Sequence, residues 1–190
     1  TSSADSTVES NQDFSNFAYY LAGAGDVNGD GYSDVIVSAG FYDDGENDEG
    51  AAFVFHGGPN GVDSGGPPQA DAKIVSDQEL ANLSAVGGAG DVNGDGYDDI
   101  IVGADAYDAG DGFLEGIAMI FHGGPSGVGN GSPANADTIL ESNLANVWFG
   151  VGVIVIGWIV TLLPERAFAF ATSRVPEGAV TTSLILLLVL

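Results

Sequence analysis

The apolar residues of this chain come in short, separated runs. Phe17 to Ala22, Asp34 to Ala39, Ala51 to Phe55 and Ala72 to Val75 form one series. Leu83 to Val86, Asp99 to Gly103, Gly116 to Phe121 and Thr138 to Leu140 form a second. β-branched and aromatic residues recur within them, and Gly, Pro, Asn and Asp clusters separate them, as strands bounded by turns require. No 3.6-residue periodicity persists before residue 140, so no helix is expected there. Four short strands per series is the pattern of a propeller blade.

The two series are copies of one unit. GAGDVNGDGY at 23–32 recurs at 88–97, FHGGP at 55–59 recurs at 121–125, and LANL at 80–83 is echoed by LANV at 144–147. The offsets are 65, 66 and 64 residues, so each unit is about 65 residues long. The expected organisation is an N-terminal extension or last strand of a preceding blade at 1–13, repeat 1 at 14–78, repeat 2 at 79–143, and a degenerate or truncated third repeat with an apolar tail at 144–190. The fold class is all-β: a partial β-propeller of two four-stranded blades plus the start of a third.

The repeated loop carries the chemistry. In DVNGDGYSD, oxygen-bearing side chains fall at loop positions 1, 3, 5 and 9: Asp26, Asn28, Asp30 and Asp34. Alternate positions let successive side chains converge. Gly31 permits the sharp turn, and Tyr32 can offer its backbone carbonyl. The second loop supplies Asp91, Asn93, Asp95, Tyr97 and Asp99 in the same places. Hard oxygen ligands, six to eight of them, are what calcium takes, whereas magnesium usually keeps several waters. Two calcium sites are therefore expected. Asp98 is an extra carboxylate, expected to point away. An EF-hand would need a Glu at position 12 and flanking helices. Position 12 is Val37 in one loop and Val102 in the other, both inside strand-like runs. An ion-free Asp/Asn/Gly turn is the competing reading, which the two matched copies make harder to sustain.

Charge narrows the partners. Three Lys and Arg against 27 Asp and Glu give a formal net charge of −24. Nothing could neutralise phosphates, which argues against nucleic acid and against docking on anionic lipid. Only seven of the 27 carboxylates lie in the two loops, so cation binding and a solvated acidic surface both apply. There is no Cys, hence no disulfide framework and no zinc-thiolate site. No basic stretch followed by an apolar run opens the chain, so no signal peptide is visible.

The loops and the segments before them resemble the FG-GAP repeat, the blade unit of the integrin α-subunit propeller and of many bacterial surface proteins. Gly23-Ala24-Gly25 and Gly88-Ala89-Gly90 are GAP-like, both calcium loops match at every liganding position, and Phe17-Ala18 and Phe149-Gly150 stand where the family has its FG start. The resemblance covers roughly residues 14–152. It implies a calcium-stabilised propeller, calcium being structural, used for adhesion or for binding a protein or glycan ligand outside the cell or at its surface. A bacterial source is expected. The family closes about seven blades into a ring and this chain has two and a fraction, so a fragment, or a piece that assembles with other copies, is expected. No catalytic motif stands out, and an enzyme is not expected. The alternatives are a propeller-fold hydrolase or lyase fragment and a purely structural surface-layer repeat.

His56 and His122 precede Gly-Gly-Pro at equivalent places, and a structural role is expected. Tyr19, Tyr20, Phe41, Tyr42 and Tyr107 are assigned to blade packing. After Trp148 the composition changes: residues 149–190 contain no Asp and no Asn. Gly150 to Leu163 is uncharged but shorter than the roughly 20 residues a spanning helix needs. Membrane attachment or a sorting tail, a frame-shifted reading of a normal strand, and a plain buried segment compete, with the frame-shift favoured.

Overall fold

The computed structural model describes residues 4–110 and 114–141. The strands lie in a first compact unit, Thr1–Asn143; a second unit, Leu144–Leu190, and with it the readings of the tail and of the third repeat, falls outside the described residues. Among the described residues no helix is long and apolar enough to cross a membrane.

Each repeat folds into a four-stranded antiparallel sheet. The first holds β1 (Phe17–Gly25), β2 (Asp34–Ala39), β3 (Ala51–Phe55) and β4 (Ala72–Val75), in that order across the sheet. The second holds β5 (Leu83–Gly90), β6 (Asp99–Ala104), β7 (Ile117–Phe121) and β8 (Thr138–Glu141), also in order. The up-and-down order is that of a propeller blade, and the two sheets do not close into a ring. A turn of 3₁₀ helix, Pro67–Gln69, leads into β4.

Strand limits differ from the sequence expectation where glycine is involved. β1 and β5 run on through their Gly-Ala-Gly segments, because Gly23 and Gly88 stay paired with Val35 and Ile100. A register shift follows at Gly25 and at Gly90, whose positive φ angles of 84° and 71° swing the chain out of the ladder and into the loop. Gly116, expected to start β7, has φ of 74° and stays outside the strand.

The pleat sends alternate residues of each strand to opposite faces. On β3, Ala52 and Val54 join a core shared with the second blade through Ile100, Val102 and Met119. Ala51, Phe53 and Phe55 form a separate cluster on the first blade's other face, backed by Phe17, Tyr42 and Val8. β3 is thus buried on both faces, and Phe53 and Val54 contribute about 1.5–3 kcal/mol each by leaving water. Of the aromatic residues assigned to packing, Tyr42 meets Phe53 edge-on at 5.2 Å and Tyr107 packs on the shared core. Tyr19, Tyr20 and Phe41 depart from that expectation: all three are exposed, and the rings of Tyr19 and Tyr20 meet edge-on.

The segment linking one blade to the next is itself repeated. Ser76 Oγ accepts from Gln78 N–H, and the Gln78 side chain exchanges two hydrogen bonds with the Asp108 backbone. Ser10 Oγ accepts from Gln12 N–H, and Gln12 does the same with Asp43. Glu49 joins the first blade to the linker. Its carboxylate accepts from the N–H groups of Asp44, Glu46 and Asp77, and its carbonyl from Leu83 N–H and Ser76 Oγ.

Candidate metal centre

The two acidic loops lie between β1 and β2 and between β5 and β6, so strands flank them, as the sequence requires and an EF-hand forbids. Their internal geometry is nearly the same. In the first, Asp26 Oδ1 accepts from Asp30 N–H at 3.0 Å and Oδ2 from Gly31 N–H at 2.9 Å. Asn28 Oδ1 accepts from Asp30 N–H at 3.0 Å, and Asp30 Oδ1 from Tyr32 N–H at 2.9 Å. In the second, Asp91 accepts from the N–H groups of Gly94, Asp95 and Gly96, Asn93 from Asp95 N–H, and Asp95 from Tyr97 N–H. Gly31 and Gly96 take φ of 89° and 95°, the left-handed turn expected of position 6.

Asp26, Asn28 and Asp30 are thus brought onto one exposed turn, as are Asp91, Asn93 and Asp95, while Tyr32 and Tyr97 follow with their N–H groups already engaged. Asp34 and Asp99 are placed differently. Both are fully buried at the start of β2 and β6. Asp34 accepts from Val27 N–H and Gly57 N–H, each at 2.8 Å; Asp99 accepts from Val92 N–H at 2.8 Å and Gly123 N–H at 2.9 Å. Each carboxylate ties the loop's start to the turn after the third strand. Among the described residues no three Asp, Glu or His side chains are gathered into a cation cage. The loop carboxylates instead turn their oxygens to backbone N–H groups, which offset the repulsion among three like charges.

The donor set suits a hard divalent cation. Each loop carries carboxylates at positions 1, 5 and 9 and an amide at position 3; among the described residues the basic side chain, Lys73, pairs with Asp44 instead. The Asp95 carboxyl is held below the ordinary aspartate value, first by Tyr97 N–H, then by the Asn93 side-chain amide and His122, against a small opposing effect of desolvation.

One residue outside the expected set shapes the loops. Asp98 turns away from its own loop and accepts from Asp26 N–H at 2.8 Å, while its N–H donates to the Asp26 carbonyl at 3.1 Å. It therefore joins the second loop to the first. The signal was the position itself: Asp98 replaces Ser33 in an otherwise matching loop. His56 and His122 hold equivalent places, each donating its N–H to the aspartate that precedes the fourth strand, Asp71 or Asp137, at 2.7 and 2.8 Å. The repeated pairing gives them a structural task.

The FG-GAP repeat family matches residues 18–55 and 84–132. Among curated proteins, integrin alpha pat-2 of Caenorhabditis briggsae is 42% identical over 89 residues, 46% of this chain and 7% of its own length. Integrin alpha-5 of Xenopus laevis is 37% identical over 99 residues, 51% of this chain and 9% of its own. Integrin alpha-PS2 of Drosophila melanogaster is 38% identical over 118 residues, 58% of this chain and 8% of its own. The chain thus spans less than a tenth of the length of these relatives. All three are animal proteins, which lends no support to the expected bacterial source. Both blades are FG-GAP repeats, and the chain is an FG-GAP repeat protein, similar over about half its length to segments of integrin α-chains.

Proposed function

We propose that the chain is a calcium-stabilised, ligand-binding propeller segment that works outside the cell or at its surface. The observation that carries the calcium reading is the pair of loops, whose oxygen-bearing residues and backbone turns coincide across a 65-residue offset. Asp26, Asn28, Asp30, Asp34 and the Tyr32 carbonyl would hold one ion. Asp91, Asn93, Asp95, Asp99 and the Tyr97 carbonyl would hold the other. Calcium would take up charge that backbone N–H groups now offset and would fix the entry of β2 and β6. Its role is structural, not catalytic. The similarity to integrin α-chains supports a protein or glycan ligand and a binding task in place of an enzymatic one.

Extracellular calcium modules bind at about 10⁻⁴–10⁻³ M, so the sites would fill outside the cell and stay largely empty inside it. Calorimetric titration of the full chain with calcium tests this, paired with thermal unfolding in calcium and in chelator. Two sites and a rise in melting temperature are expected, since a ligand that binds only the folded state stabilises it. Asp30→Asn and Asp95→Asn should each remove one site. A folded chain that takes up no calcium would sink the reading.

A further inference from the structure

Two routes of contact run from the residues proposed for one ion to those proposed for the other. The shorter passes through Asp98, which stands between Tyr97 and Asp99 in the chain. Its carboxylate accepts from Asp26 N–H at 2.8 Å, and its N–H donates to the Asp26 carbonyl at 3.1 Å. One residue of the second loop thus holds the peptide groups on both sides of Asp26. The Asp98 side chain also fills the space over Gly25, and the Tyr97 ring lies so close over Gly29 that an added Cβ would stand 2.6 Å from it. The longer route runs through the turn after β7. Asp99 accepts from Gly123 N–H at 2.9 Å, Gly124 N–H donates to the Val27 carbonyl at 3.0 Å, and Val27 N–H donates to Asp34 at 2.8 Å. Val27, Asp34 and Asp99 are fully buried, so water is a poor substitute for these bonds when one end moves. A Cβ on Gly123 would stand 2.3 Å from the Asp98 carbonyl oxygen and 2.7 Å from that of Val27, which puts this turn between the two routes.

We propose that the two loops are coupled, so that filling either one raises the calcium affinity of the other. The coupling rests on the calcium reading given above. In that reading the second loop engages its ion through the Tyr97 carbonyl and Asp99, the neighbours of Asp98 on either side, and this fixes the Asp98 backbone. Asp98 then fixes Asp26, the first residue of the first loop. Asp99, through Gly123, Gly124 and Val27, does the same for Asp34. A loop already ordered loses less conformational freedom when it binds, and the saving appears as positive coupling. By linkage the effect is reciprocal: the first loop, once filled, orders the second by the same factor. Asp98 is a positioning residue, acting through Asp26.

Charge works in the opposite direction. Filling one loop makes its surroundings less negative and so weakens the pull of the neighbouring loop on a second cation. Salt screens that effect and leaves the hydrogen-bonded routes in place. At physiological ionic strength the ordering therefore sets the sign.

Calcium titration of the full chain, read site by site from the NMR shifts of the Gly31 and Gly96 amides, is the test. Those N–H groups bond to Asp26 and Asp91 and so report the first and second loops. Asp95→Asn disables the second site and should weaken the first by about fivefold or more, the lower end of the usual range for coupled sites. Asp30→Asn should weaken the second site by the same factor. Asp98→Ala cuts the shorter route, so on that background the effect of Asp95→Asn on the first site should shrink. Asp98→Asn, whose amide oxygen still accepts from Asp26 N–H, should restore it. An Asp98 that only props up the fold would lower the melting temperature and leave the factor unchanged. Two sites that fill, each indifferent to loss of the other, would overturn the coupling and leave the calcium reading standing. So would a factor that Asp98→Ala leaves intact and high salt abolishes, since charge alone would then account for it. A folded chain in which neither amide responds to calcium would overturn both.

Discussion

Removing the Glu49 carboxylate should destabilise the fold more than removing any exposed loop carboxylate. Glu49 is 1% exposed, and its oxygens accept from Asp44 N–H at 2.8 Å, Glu46 N–H at 3.2 Å and Asp77 N–H at 3.1 Å. Asp44 and Glu46 belong to the turn between β2 and β3, Asp77 to the linker between blades. Truncation to alanine therefore strips the acceptor from three N–H groups at once. The three hydrogen bonds are part-buried, each to a charged acceptor is worth about 1.5–3 kcal/mol, and the losses overlap because the groups share one acceptor. Together they give about 3–5 kcal/mol for Glu49→Ala. At about 2–4 °C per kcal/mol for a unit of this size, the midpoint should fall by roughly 10 °C. Glu49→Gln separates the contributions. Its amide oxygen can still serve Asp44 and Glu46, while its NH₂ group faces the Asp77 donor, so about 1–3 kcal/mol should be lost. Chemical denaturation in chelator is the assay, which keeps any calcium linkage out of the measurement. A loss below about 1 kcal/mol for Glu49→Ala would refute the reasoning, since the three N–H groups would then have found other partners.

Asp98→Ala removes the carboxylate that meets Asp26 N–H across the blades. It should cost about 1–2 kcal/mol by denaturation in chelator and leave the second loop's own hydrogen bonds intact, as amide chemical shifts would report. Acid should loosen the second loop late. The folded Asp95 carboxyl titrates below its unfolded value, so its contribution is fully present above the ordinary aspartate range. That contribution is lost only as pH falls through the folded value. An NMR titration in chelator that finds Asp95 protonating at or above the ordinary value would contradict this.

Much of the fold was legible in the sequence because its strands are short, β-branched and bounded by turn residues. β2, β3 and β4 begin and end where the apolar runs do. The strands that run furthest past their expected ends, β1 and β5, do so for one physical reason. Gly-Ala-Gly reads as loop on propensity, yet β2 and β6 hold it in the ladder, so tertiary pairing overrides the local preference. The loop residues were legible because their spacing repeats. Their division of labour was not: nothing in the spacing tells that Asp34 and Asp99 are buried on backbone N–H groups from the far end of the sheet, while Asp26, Asn28 and Asp30 stay on an exposed turn. Burial is set by what packs over a residue, and for Asp34 that includes Gly57, 23 residues on.

The linker shows how much a repeat can hide when only its conspicuous motif is matched. SNQDFSNF at 10–17 and SDQELANL at 76–83 align residue for residue, but only three of the eight positions are identical. The conserved work is visible in the bonds: a serine hydroxyl that turns the chain, and a glutamine that grips the backbone of the β2–β3 or β6–β7 turn. The positive φ angles repeat as well, 61° at Phe14 and Leu80, 56° at Asn16 and 54° at Asn82. Such strain, of order 1–3 kcal/mol per residue, persists only where surrounding contacts over-determine the backbone. Here the contacts come from both sides: Leu80 and Asn82 donate their N–H groups to the first blade, at Asn47 and Asp48, while the Asn82 side chain bonds Asp105 of the second. The linker is therefore a structural layer between blades, and the two sheets should unfold as one unit despite sharing no strand. Amide exchange that opens one blade while the other stays protected would break that inference.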